Sequence, residues 1–64
     1  MRINVHKLLT LMYDQDKNVN ELSNTANISR ATVTAVKSGK SCSYKTAFKI
    51  ASALNVDIKE LLED

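Results

Sequence analysis

Gly39 is the only glycine in this chain, and proline is absent. An all-β chain needs many tight turns, and tight turns draw on Gly, Pro, Asn and Asp. With one glycine and no proline, the chain argues against an all-β fold. The expected fold class is all-α: a compact bundle of about five short helices within a single domain spanning residues 1 to 64.

A domain of 64 residues buries only about 60% of its unfolded surface and needs every contact it makes. Cys42 and His6 are the only residues of their kinds. One cysteine closes no internal disulfide, and one Cys with one His makes no zinc site. Helix packing, a dimer partner or both must then hold the fold. No apolar stretch follows Met1 and Arg2, and no run approaches the roughly 18 residues a membrane helix needs. The expected location is the cytoplasm, with no membrane association.

The net charge is only +2, but it is unevenly distributed. No acidic residue lies between Glu21 and Asp57, while Arg30, Lys37, Lys40, Lys45 and Lys49 do. The chain then ends with Asp57, Glu60, Glu63 and Asp64 against Lys59 alone. A basic middle suits a polyanionic partner; a solvated lysine-rich surface would read the same way.

Five helical segments can be read. The first covers about residues 3 to 14, with Val5, Leu8, Leu9 and Met12 at helical spacing and Ile3 and Leu11 widening the face. The second opens on Asn18, with Glu21 three residues later in the capping-box arrangement. It ends near Asn27, a residue that tolerates left-handed backbone. The third has Ser29 as its cap, turns Val33 and Val36 inward and stops at Gly39. The fourth opens on Ser43 and runs to about residue 54, burying Ala47, Ile50, Ala51 and Leu54. The fifth opens on Asp57, with Glu60 three on as a further capping box and Ile58, Leu61 and Leu62 as its apolar face.

Residues 18 to 37 thus form two short helices joined by about three residues, the helix-turn-helix arrangement. Such a unit needs small and polar side chains on the outer face of its second helix. Small ones let the backbone approach the major groove, and polar ones read base edges or phosphates. Arg30, Ala31, Thr34 and Ala35 make up that face, with Lys37 at its edge.

Residues 18 to 40, followed by Ala47-Phe48-Lys49-Ile50-Ala51-Ser52-Ala53-Leu54-Asn55-Val56-Asp57, resemble the Cro/phage-repressor (lambda-repressor-like, XRE-type) helix-turn-helix family. The two helices, the Gly-Lys stop and the fourth helix keep register together. The resemblance implies a sequence-specific DNA-binding transcriptional regulator whose recognition helix spans about 29 to 37. Base contacts would fall to Arg30, Ala31, Thr34 and Ala35. Backbone contacts would fall to Asn18, Val19, Ser29, Thr32, Ser38, Lys40 and Ser41. The implied partner is a double-stranded operator bound by a homodimer, with Ile58, Leu61 and Leu62 as dimerisation candidates. These same three residues could instead close the core of one chain.

The chain departs from the family pattern in places. Val19 stands where relatives often carry a Gln that bridges the helices. Ser23 replaces a packed Ala, and Asn27 a turn Gly. Lys37 stands where relatives carry a Glu paired with a first-helix Arg, and Met12 takes the Arg position. Losing both partners avoids an unpaired buried charge. Lys37 is expected to lay its stem on Met12 with its amine outward.

The remaining residues suggest less. Tyr13 is expected as partial core, Tyr44 as packed, His6 as a surface residue. Cys42, near Lys40 and Lys45, is read as a passive small residue, with a lowered thiol pKa as the alternative. No catalytic constellation, metal site or cofactor motif is present, so no enzyme is expected. The competing reading is a helix-turn-helix protein-interaction module, such as an antirepressor or antitoxin component. An apolar outer face on the third helix would favour it.

Overall fold

The computed structural model describes residues 1–62. Four α-helices follow in order: α1 (Val5–Asp14), α2 (Val19–Ala26), α3 (Arg30–Lys37) and α4 (Tyr44–Ala53). A single 3₁₀ turn, Ile58–Glu60, follows. The all-helical class is as expected, but the fifth segment is a turn and not a helix.

Each α-helix opens on a polar cap. The side chains of Asn4, Asn18, Ser29 and Ser43 accept the backbone N–H three residues on, at Lys7, Glu21, Thr32 and Thr46. At α2 the full capping box closes, since Glu21 also accepts from the Asn18 N–H. Each bond satisfies one of the helix-end donors that would otherwise go unpaired.

The four helices also share one way of ending. Asp16, Asn27, Gly39 and Asn55 take left-handed backbone, with φ of 55°, 59°, 96° and 62°. In each case the following residue's N–H reaches five residues back: Lys17 to Met12, Ile28 to Ser23, Lys40 to Ala35 and Val56 to Ala51. This is the Schellman closure, which satisfies the last helical carbonyls and reverses the chain. Three Asx residues thus do the work more often given to glycine.

The core is one cluster. Leu8 and Met12 of α1, Leu22 and Ala26 of α2, Val33 and Val36 of α3, and Ala47, Ile50, Ala51 and Leu54 at α4 meet Ile3 and Leu61. Ser23 is the one buried polar side chain among the described residues, and its hydroxyl donates to the Asn20 carbonyl at 2.9 Å. Side chains from the α1–α2 connection close the end of α4: Gln15 Nε2 donates to Leu54 O at 2.6 Å and Lys17 Nζ to Ala53 O at 2.7 Å.

Several placements differ from the sequence reading. Ile3 lies outside α1, in an isolated antiparallel bridge with Leu62. Leu61 is fully buried, and its carbonyl accepts from the Asn4 N–H at 2.6 Å. Asp57 caps the N–H of Lys59, two residues on, so no capping box forms with Glu60. The chain turns inward here to bring Leu61 into the core and Leu62 beside Ile3, and the backbone that would extend a helix pairs with the amino-terminal segment instead. Tyr13 is 87% exposed and belongs to no core. Tyr44 and Phe48 are both more than half exposed and stack on one another, ring centroids 6.3 Å apart. Glu63 and Asp64 lie outside the described residues.

Candidate nucleic-acid interface

The connection between α2 and α3 is three residues long, 27 to 29. Left-handed Asn27 turns the chain, half-buried Ile28 anchors it to the core, and Ser29 caps the next helix. With Val33 and Val36 pinned in the core, the opposite side of α3 must face outward. Arg30, Ala31, Thr34 and Lys37 are exposed there, and Ala35 is half-buried. This face has a charged fork at its first residue, a methyl beside it and a hydroxyl one turn on. No large apolar side chain lies on it, so the apolar patch that would favour a protein partner at this site is not present.

Arg30 does not hang free. Its Nη1 donates to Asn20 Oδ1 of α2 at 3.0 Å. Nothing in the residue order suggested this bond, because its partners lie ten residues apart on different helices.

The residues expected at phosphates fall into two groups. Lys40 and Ser41 are exposed in the loop after α3, their side chains without a hydrogen-bond partner among the described residues. The others are engaged within their own helices or packed on the core. Ser29 Oγ and Thr32 Oγ1 share a hydrogen bond at 2.8 Å, and Ser29 also takes the Thr32 N–H. Ser38 Oγ donates to Thr34 O at 2.9 Å. Asn18 has its Oδ1 and its N–H committed to Glu21. Val19 is half-buried against the core, contributing packing in place of an amide. The Glu21 carboxylate thus sits at the head of α2, in the expected capping box and beside the Asn18 expected at a phosphate.

The amino-terminal segment braces the 38-to-43 loop. The Met1 and Cys42 backbones exchange two hydrogen bonds, at 2.9 and 2.8 Å, and Arg2 Nη2 donates to Gly39 O at 3.3 Å. The loop holding Lys40 is thus tied to a second part of the chain. Cys42 is half-buried, and burial raises its thiol pKa above the ordinary value, partly offset by the nearby Met1 ammonium. The alternative of a thiol activated by neighbouring lysines does not hold.

Lys37 is exposed and shares an open groove with Met12, Leu9, Tyr13 and Val19. Its ammonium has no ion-pair or hydrogen-bond partner among the described residues. That agrees with the expected replacement of an ion pair by a methionine and an outward lysine. Among the described residues, no group of three or more His, Cys, Asp or Glu side chains is placed to hold a metal ion. No helix among them is long and apolar enough to cross a membrane.

Two short helices at a three-residue turn, the second with an open polar outer face, define a helix-turn-helix unit. The profile of the Cro/C1-type helix-turn-helix DNA-binding domain matches residues 7–64, and the chain belongs to that family. No curated protein matches the sequence. Among solved structures, the chain is similar to a segment of one described as "Phpd with cadmium complexed with hydroethylphosphonate (HEP)". The TM-score is 0.84 and the identity 22%, covering 100% of this chain and 14% of that one. At that identity the likeness is one of fold alone.

Proposed function

We propose that this chain is a sequence-specific DNA-binding transcriptional regulator of the phage or mobile-element repressor type. It lays α3 in the major groove. The observation that carries this reading is the outer face of α3, where Arg30, Ala31 and Thr34 are exposed in a stretch devoid of acidic residues. Arg30 is the guanine reader, through a two-pronged bond to O6 and N7. Ala31 and Ala35 allow close approach, and Thr34 supplies a methyl or hydroxyl to a base edge. Lys40 and Ser41, with the Ser38 segment, lie along the sugar-phosphate backbone. The role is binding, with no catalytic step.

A homodimer on a palindromic operator suits this reading, its half-sites about 34 Å apart. Leu61 has no surface left to give such a dimer, whereas Ile58 and Leu62 keep part of theirs.

A protein-interaction role is the second reading. It is favoured by the exposed Tyr44–Phe48 pair and by the Glu21 carboxylate at the head of α2. Selection from a random duplex pool separates the two. The DNA reading expects an enriched motif containing a guanine that Arg30→Ala no longer selects. A pool that stays random, with wild-type protein folded, would contradict it.

A further inference from the structure

We propose that Asn20 is a positioning residue that aims the Arg30 guanidinium at its base; this deepens the DNA-reading role given above and rests on it. A guanidinium on a flexible stem loses conformational freedom whenever it is fixed on a ligand. Here part of that ordering is already present. Nη1 donates to Asn20 Oδ1 at 3.0 Å. The bond engages one corner of the planar group and leaves the edge formed by Nε and Nη2 without a partner among the described residues. That edge carries two parallel donors, the arrangement that fits O6 and N7 of guanine.

Asn20 is itself held. It lies in the first turn of α2, and its carbonyl accepts the hydroxyl of Ser23 at 2.9 Å. Ser23 is buried, so the backbone at Asn20 is tied to the core, while its side-chain Oδ1 meets Arg30. Both helices of the unit thereby contribute to placing one side chain. Asn is suited to this place because it offers an acceptor without a net charge. A carboxylate there would bind the guanidinium more strongly but would face the phosphates with a second negative charge beside Glu21.

The test is a double-variant comparison on a duplex selected by the wild-type protein and on the same duplex with the guanine replaced. Asn20→Ala is expected to reduce the discrimination between them by about fivefold. Discrimination at other positions, the salt dependence and the melting temperature should stay unchanged. In the Arg30→Ala background the same substitution should change nothing further, since its effect passes through Arg30. Asn20→Asp keeps an acceptor and should keep the discrimination while weakening binding to all sequences. Full discrimination in Asn20→Ala would overturn the proposal while leaving Arg30 as the reader. Improved discrimination would also overturn it, by showing that Asn20 holds Arg30 back. If Arg30→Ala itself leaves the preference intact, the reading of α3 fails and this inference falls with it.

Discussion

Asn18 and Glu21 bind each other twice: the Glu21 N–H donates to Asn18 Oδ1 at 2.9 Å, and the Asn18 N–H donates to Glu21 Oε1 at 3.2 Å. The pair stabilises the head of α2, and the carboxylate also complements the helix dipole. It sets a negative charge at the end of the helix that would otherwise attract a phosphate. On the proposed DNA-binding reading, fold stability and DNA affinity are therefore opposed at Glu21. Glu21→Gln keeps the reciprocal bonds and should lower stability by less than about 0.5 kcal/mol while tightening duplex binding. Glu21→Ala should cost about 1 kcal/mol. Thermal melts and duplex titrations of both variants check this; unchanged binding in Glu21→Gln would place α2 away from DNA.

The left-handed residues give a second prediction. At Gly39, a Cβ would meet only Val5 Cγ2 at 4.0 Å, an ordinary contact. The cost of Gly39→Ala is then backbone strain alone, about 1 to 2 kcal/mol. Asn55→Gly relieves strain of the same kind and should be neutral or stabilising, within about 1 kcal/mol, whereas Asn55→Ala should destabilise. Urea unfolding of the three variants gives the order directly. Equal stability of Asn55→Ala and Asn55→Gly would contradict the role given to φ at this site.

How far these features were legible follows from their range in the sequence. Asn18 with Glu21, Ser29, Ser43 and Gly39 act on neighbours three residues or fewer away, and the residue pattern identifies them. Asp16 and Asn55 end helices just as Asn27 does, yet Asp and Asn are common in every kind of loop, so their handedness is not distinctive. The bridge between Ile3 and Leu62 depends on packing across the whole chain, and it is what displaces Ile3 from α1. The exposure of Tyr13 and Phe48 is a matter of which way each helix is rolled against the core, and apolar spacing alone does not settle that for residues at the edge of a face. At the interface, Arg30 could be identified from its position after the turn. Its tie to Asn20 could not, because no local pattern links residues on two helices.

Ser23 and Leu22 are adjacent, both buried, and should respond differently. Leu22 is fully enclosed by the core cluster. Leu22→Ala should cost about 2 to 5 kcal/mol, enough to unfold a domain of this size at moderate temperature. Ser23 donates to a carbonyl within its own helix. Ser23→Ala loses that bond but buries no unpaired donor, so the change should stay within about 1 kcal/mol. A large loss in Ser23→Ala would indicate that the hydroxyl secures more than the first turn of α2.

Cys42 yields a pH prediction. Its raised thiol pKa, caused by burial, means that the neutral form is favoured in the folded chain relative to the unfolded one. The associated stability is fully present below the ordinary thiol pKa and is lost as pH rises through the raised folded value. Cys42→Ser should flatten that alkaline decline. In the folded protein, alkylation of Cys42 should be slower than that of a free thiol at the same pH, and its rise should shift to higher pH. Alkylation faster than a free thiol would contradict the burial argument.

The most direct test of the central claim, that the outer face of α3 and the loop after it bind duplex DNA, is a titration across a salt series. The wild-type protein should bind random duplex with an affinity that falls steeply with salt, and Lys40→Ala should reduce the slope by about one. Arg30→Ala should weaken binding to a selected duplex far more than to random sequence. A folded protein that binds no duplex even at low salt would contradict the account, as would a slope that Lys40→Ala leaves untouched.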